Sequence, residues 1–106
     1  MDRRLKLDDE LRDIQEDILG YEHTYFDPPE NIRMQYDAVV YTRTGFNVKP
    51  ANNKSYLIRD EYKLEVISRD SETLVPHAIQ SHFSLCSPGK SFKANNFFHF
   101  PFTIYY

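Results

Sequence analysis

Five side chains of this sequence, four histidines and one cysteine, belong to the residue types most typical of nucleophilic, acid–base and metal-binding sites. They are His23, His77, His82, His99 and Cys86. No two of the histidines have the spacing of three or four that would place them on one face of a helix. Cys86 follows His82 by four positions, but a closed zinc site requires four ligands. The sequence therefore predicts no metal site.

A nucleophilic Cys86 would need a positioned histidine base and an oxyanion hole. His82 could lie nearby if a helix ended at Phe83, yet no residue type in the sequence orients it. The carboxylates are scattered, and the segment Ser87–Ser91 lacks the spacing of a phosphate-binding loop. We therefore predict no enzymatic activity and no cofactor, and a small enzyme built on Cys86 and His82 is only the third hypothesis.

Composition indicates one globular domain, residues 1–106, with 41% hydrophobic and 27% charged residues. The net charge is −3, whereas a nucleic-acid binder usually carries a basic surface patch. A base-stacking platform around Phe46 and nearby basic residues is thereby disfavoured. A lone cysteine fits a reducing compartment. The sequence predicts neither a signal peptide nor a membrane span, so we expect a soluble protein made in the cytoplasm.

Aromatic residues are unusually frequent, since eight Tyr and eight Phe make up 15% of the chain. Aromatic side chains favour strand-rich cores. They also supply rigid, amphipathic contact area at protein interfaces. Sixteen such rings are many for the core of a small domain, so the composition predicts that part of this surface is covered by other subunits.

A hydrophobic stripe near the N-terminus predicts a helix over residues 5–19. Its members recur at helical spacing with acidic residues between them: Leu7, Leu11, Ile14 and Ile18. Gly20 supplies the left-handed conformation that commonly ends a helix.

The next segments read as strands. Tyr21–Phe26 is a short candidate that Pro28 and Pro29 end. The segment Tyr36–Arg43 is predicted as a central strand buried on both faces. A loop of about a dozen residues follows over Thr44–Ser55. The alternation after Tyr56 predicts a strand that pairs antiparallel with the preceding one, which gives a long β-hairpin.

The C-terminal part predicts a second short helix and a last strand. The helical stripe consists of Val75, Ala78, Ile79, His82 and Phe83. Ser87–Gly89 is predicted as a turn. Pro101 cannot donate to a ladder, so the strand over residues 97–106 is expected at an edge or with a bulge. The whole pattern predicts an α+β domain with an antiparallel sheet of about four strands.

Three stretches resemble small bacteriophage proteins of the tail-completion or tail-terminator type. The first comprises Tyr25–Pro29 and Tyr36–Tyr41, and the second runs from Tyr62 to Asp70 with Ser71 and Pro76 after it. The third consists of Cys86, Phe92, Asn95, Asn96, Phe97, His99, Phe102, Tyr105 and Tyr106. Asn95 stands where the pattern of these proteins has Asp. The motifs span nearly the whole chain and consist of structural residues.

The resemblance implies a virion protein that forms a ring, commonly six-fold, at the head-proximal end of the tail. Such a ring terminates the tail tube and joins it to the neck. The implied partners are sister subunits, the tail tube protein and neck or connector proteins, with no membrane and no sequence-specific nucleic acid. The expected contact residues are Phe46, Asn47, Val48, Lys49, Asn52, Asn53, Phe98, Phe100, Phe102, Tyr105 and Tyr106. The alternatives are a head-closure or connector protein, and a phage-encoded binding module that acts on a host protein.

Overall fold

A computed structural model describes residues 3–49 and 58–106 of the chain. The elements in chain order are α1 (Arg3–Leu19), β1 (Thr24–Phe26), β2 (Ala38–Val48), β3 (Arg59–Ser68), α2 (Val75–His82), β4 (Cys86–Pro88), β5 (Phe92–Ala94) and β6 (Phe97–Tyr105). The described residues thus form two helices and six strands, and the predicted α+β class is confirmed.

Helix α1 forms as its apolar stripe predicts, although it begins at Arg3, earlier than expected. Leu7, Leu11 and Ile14 are buried. The helix ends where Gly20 adopts a φ of +78°, and the Gly20 N–H donates to the Glu16 carbonyl at 3.0 Å. That conformation disfavours any residue with a Cβ. The predicted stop signal therefore lies at the correct position.

The sheet differs from the predicted antiparallel sheet of four strands. Its order is β1-β2-β3-β6-β4, with β5 also paired to β6. The short strand β1 runs parallel to β2, in the register Thr24 with Val39. The other pairs are antiparallel. The sheet is mixed because the prolines after β1 turn the chain away, and the chain returns to begin β2 beside β1 in the same direction.

Strand β2 is longer than predicted. It continues through Gly45 to Val48, where we expected a loop. Its pairing with β3 is irregular on both sides of Gly45, and Asn47 has a φ of +52°. Such bulges bend a strand while it stays paired. The rest of the predicted loop, from residue 50 to residue 55, lies outside the described residues.

Helix α2 packs through Val75, Ile79 and Phe83, which are buried. Pro76 lies in its first turn, as predicted, where no intrahelical donor is lost. The Thr73 hydroxyl accepts a hydrogen bond from the Val75 N–H at 3.4 Å.

Strand β6 is an interior strand and its register with β3 is unbroken at Pro101, so the prediction of an edge position or a bulge was wrong. It pairs with β3 on one side and with β4 and β5 on the other. The prediction from Pro101 failed because Pro101 lies between β4 and β5. There the Gly89 N–H donates to the Pro101 carbonyl at 2.8 Å. A return hydrogen bond from Pro101 is missing because proline has no N–H. A Cβ on Gly89 would lie 3.1 Å from the Pro101 ring.

Two short strands border β6 where we predicted a turn. Ser87 and Pro88 belong to β4, so the predicted turn at Ser87–Gly89 is wrong for these two residues. Strands β5 and β6 form a hairpin whose tip is Asn95 and Asn96, both with positive φ. Consecutive positive φ values are typical of a type I′ hairpin turn, for which asparagine is a preferred residue.

Both helices pack on one face of the sheet, which we call the covered face. Its core contains two tyrosines among aliphatic and phenylalanine side chains. The core residues are Leu7, Leu11, Ile14, Val39, Tyr41, Tyr62, Leu64, Val66, Val75, Ile79, Phe83, Phe102 and Ile104. The other side, which we call the open face, is not covered by either helix, as the alternation in β3 predicted.

Candidate interaction surface

The open face is built from cross-strand rows on β2, β3 and β6. In one row Thr42 pairs with Lys63 and Lys63 with Thr103, and the Lys63 Nζ donates to the Thr103 hydroxyl at 2.8 Å. The next row pairs Val40 with Glu65 and Glu65 with Pro101. Side chains of successive residues point to opposite faces of a strand. These rows therefore alternate with the buried residues of the core.

A trough of about 800 Å³ lies along these rows. Val40, Ile67 and Pro101 make its floor partly apolar, while Lys63 and Glu65 add one charge of each sign. This volume is in the range of ligand pockets, which are usually enclosed. Here the floor is a sheet surface that strand pairing leaves open, so the trough suits a partner protein better than a small molecule.

Two walls border the trough. One wall is Asp27, Pro28 and Met34, from the segment that connects β1 to β2. The Asp27 carboxylate accepts a hydrogen bond from the Thr42 hydroxyl on the floor. The opposite wall is Pro88, the last residue of β4, and Gly89, which follows it. Because both walls are tied to β2 or β6 by hydrogen bonds, the concave shape belongs to the fold itself.

The far end of the β2–β3 hairpin carries a polar cluster around Asp60, which is 7% exposed. Its carboxylate lies 3.4 Å from the Arg43 guanidinium and accepts a hydrogen bond from the Asn47 N–H at 3.0 Å. Arg43 also donates to the Tyr62 hydroxyl. The Phe46 ring lies over the guanidinium at 4.6 Å and is 70% exposed. Asp60, a polar residue on the apolar face of β3, thus fixes the bulged end of β2.

The expected contact residues that the structure describes lie on the β2–β3 hairpin, on the open face and on the covered face. Phe46, Asn47 and Lys49 are exposed on the hairpin. Tyr105 is half-buried and lies on the open face, since its neighbour Ile104 is in the core. Asn52 and Asn53 lie outside the described residues. The structure does not bring the hairpin and the whole C-terminal strand into one patch, because the strand divides its side chains between two faces.

Four of the expected contact residues in β6 and after it lie on the covered face. Phe102 is 4% exposed and belongs to the core, which corrects its assignment as a contact residue. Phe100 and Tyr106 pack against that core. Phe98 is half-buried, with the Lys93 Nζ over its ring at 5.4 Å. The alternation indicated a shared face, and this face is covered by the helices.

Glu10 joins both helices to the end of the chain. Its carboxylate lies 2.9 Å from the His82 Nε2 and accepts a hydrogen bond from the Tyr106 hydroxyl. Burial opposes ionisation of Glu10, but the hydrogen bonds from Tyr106 and His82 outweigh it and hold its pKa below the usual 4.5. Burial, and then the bond to Glu10, raises the pKa of the Tyr106 phenol. His82 is thus held by a carboxylate that the sequence did not single out.

Cys86 is half-buried in β4, and burial raises the pKa of its thiol to about 11. A nucleophilic cysteine requires a lowered pKa, so this thiol is not activated. His82, which the enzyme hypothesis paired with Cys86, contacts Glu10 instead. Among residues 3–49 and 58–106 no three His, Cys, Asp or Glu side chains cluster as metal ligands. No helix within these ranges is long and apolar enough to cross a membrane.

Comparisons with known proteins return no match: no family model, no curated protein and no solved structure corresponds to this chain. Function is therefore inferred from the surface itself and from the resemblance of the sequence motifs.

Sequence reasoning did not identify the trough or its walls. The alternation in β3 indicated an open face, but the segment around Met34 gave no sign that it would line it. The cluster of Glu65, His99 and Phe92, described below, was also missed. Its members are far apart in sequence and meet only because β3, β5 and β6 are adjacent.

Proposed function

We propose that this chain is a structural subunit of a tailed bacteriophage virion. In this proposal it assembles with copies of itself into a hexameric ring at the head-proximal end of the tail. The ring terminates the tail tube and joins it to the neck. The proposal combines the resemblance of the sequence motifs with one structural observation, the concave open face of the sheet.

The open face supports an assembly role because it is large, concave and partly apolar. The helices cover the other face, where the hydrophobic core lies, and neither helix covers the open face. Protein interfaces combine an apolar centre with a polar rim. Val40 and Pro101 would form such a centre, with Lys63 and Glu65 beside them.

The cysteine and histidine environments support an assembly role over catalysis. The Cys86 thiol has a pKa raised to about 11. His82 is paired with Glu10 at the helix surface, away from the trough. Cys86 is thus a partly buried thiol and His82 is held against a carboxylate, and both environments fit a structural subunit of a larger particle.

The first experiment is light scattering after size-exclusion chromatography, with electron microscopy of the purified protein and of virions. The proposal predicts a ring that forms at high concentration or on a tail tube. A protein that is absent from purified virions would contradict it. A stable monomer that forms a 1:1 complex with a host protein would favour the binding-module alternative, and location in the neck would favour a connector.

A variant tests the surface directly. Thr103→Glu places a carboxylate on the floor of the trough beside Lys63, which is 2.8 Å from the Thr103 hydroxyl, so we expect the monomer to fold. Burying this charge in an interface is unfavourable, so assembly should weaken at least tenfold. Ser84→Glu, at an exposed position outside the trough, is the matched control and should assemble normally. Equal assembly of both variants would exclude the open face as the interface.

A further inference from the structure

His99 lies between two hydrogen-bond acceptors. Its Nδ1 is 2.5 Å from a carboxylate oxygen of Glu65 on β3. Its Nε2 is 3.3 Å from the main-chain carbonyl oxygen of Ala94 on β5. The Phe92 ring is stacked on the imidazole, with 4.7 Å between ring centroids and an interplanar angle of 3°. The side chain of His99 is 15% exposed.

This arrangement suits one protonation state of the ring. A neutral imidazole carries one N–H and can donate to only one of the two acceptors. An imidazolium carries two and can donate to both. A cation is also attracted by the face of an aromatic ring. Glu65, Ala94 and Phe92 therefore all interact best with His99 when it holds two protons.

The other charged groups near His99 are engaged elsewhere. On β3, Lys63 donates to Thr103. On β5, Lys93 lies on the opposite face, over Phe98. In the segment before β2, Asp37 accepts hydrogen bonds from the Ser68 hydroxyl and the Arg69 N–H.

The remaining neighbours of His99 carry no formal charge. Tyr36, whose phenol can titrate, stacks on Phe97, the residue two before His99 on β6. The β3 residue paired with His99 is Ile67, and Ile67 pairs with Ala38 of β2. Within the described residues, Glu65 is thus the charged side chain that contacts His99.

We propose that His99, Glu65, Ala94 and Phe92 form a proton-operated latch that holds the short strand β5 against β6, with Glu65 of β3 fixing the imidazole. With two ring protons the latch is closed. As pH rises and the ring loses one proton, one acceptor loses its donor and Phe92 loses its cation. Strand β5, which pairs with β6 over only three residues, then loosens. This inference does not depend on the proposed function.

Nuclear magnetic resonance of the whole chain tests the latch. The experiment follows the ring nitrogens of His99, the ring of Phe92 and the amides of Ala94, Asn95 and Asn96 across the range in which histidines ordinarily titrate, about pH 5 to 8. We expect all these signals to change together, with a doubly protonated ring when Phe92 is stacked. A stacked Phe92 over a ring with one proton, with hairpin signals that do not change, would overturn the proposal.

Variants identify the group responsible. His99→Gln and Glu65→Gln should abolish the coupled change of the Phe92 and Asn96 signals. His77→Gln, at an exposed position on α2, is the control and should retain it. If the Phe92 signals of His99→Gln still moved with pH as in the natural chain, the latch would be disproved. The titration of the natural chain decides the question even where a variant fails to fold.

Discussion

Adjacent residues of strand β3 lie in opposite environments. Leu64 is 2% exposed beneath the helices, whereas Lys63 is exposed on the open face. The covered face is apolar and closed by α1 and α2. The open face carries polar rows, paired charges and a trough. The same three strands thus hold the domain together on one side and present a surface on the other.

Because of this difference, a residue that stabilises the fold and a residue that is available for assembly can be neighbours in the sequence. Because side chains alternate between faces, substitutions at neighbouring positions test different properties of the molecule. A change on the covered face should lower the free energy of unfolding. A change on the open face should leave folding nearly unaffected and, under the proposed function, alter assembly.

The largest expected effect is that of Leu64→Ala. Truncation of a buried leucine typically costs about 2–5 kcal/mol of unfolding free energy, because apolar contacts are lost and a cavity remains. Lys63→Ala, the neighbour on the open face, should change it by less than about 0.5 kcal/mol. Urea unfolding followed by circular dichroism measures both. Similar losses for the two variants would contradict the division between the faces.

A smaller loss is expected at the polar contact between α1 and β1. Gln15, which is buried, donates to the Thr24 hydroxyl at 2.7 Å and accepts from the His23 N–H at 2.7 Å. Gln15→Ala leaves these groups without their partner, which costs about 1–3 kcal/mol. Glu16→Ala, at the next and exposed position, should be nearly neutral in the same unfolding measurement. A neutral Gln15→Ala would show that water replaces the amide.

Local periodicity predicted the elements that depend on nearby residues. The stripe of α1, the Gly20 stop, the α2 stripe with Pro76 and the alternation of β3 all have their cause within a few residues. For the same reason the alternation in β6 correctly predicted that its phenylalanines share one face, although we expected that face to contact partners and it is the covered one. These features position the covered face.

The features that sequence reasoning missed depend on partners far away in the chain. The parallel pairing of β1 with β2 requires the connecting segment to return beside the sheet, and no local pattern encodes this return. Pro101 indicated an edge strand. In the structure, β5 pairs with β6 before Pro101 and β4 pairs with it after Pro101. The trough and the histidine contacts arise from the order of strands in the sheet, so residue types alone could not reveal them.

The core and the far end of the β2–β3 hairpin can be compared through two aromatic rings that lie against arginines. Arg4 lies 4.5 Å from the ring centroid of Phe26, which packs on the core. Arg43 lies 4.6 Å from that of Phe46, which is 70% exposed. Phe46→Ala should cost only the cation–π contact, about 0.5–1 kcal/mol. Phe26→Ala should cost more, because apolar surface is also lost. The reverse order in thermal unfolding would show that the hairpin end is packed more tightly than its exposure indicates.

The smallest expected effect is an acid dependence of the covered face. The pKa of Glu10 is lowered below 4.5 in the folded chain by its bonds to Tyr106 and His82, against the effect of burial. The ionised carboxylate therefore stabilises the fold fully above about pH 4.5, and this contribution is lost as pH falls through the lower folded pKa.

Tyr106→Phe removes one of the bonds that lower the pKa of Glu10. The variant should therefore lose less stability than the natural chain as pH falls below 4.5. Tyr36→Phe, whose ring stacks on Phe97 away from Glu10, should keep the natural dependence. Urea unfolding at a series of pH values compares the three chains. If Tyr106→Phe and the natural chain had parallel curves, the pKa of Glu10 would not depend on Tyr106.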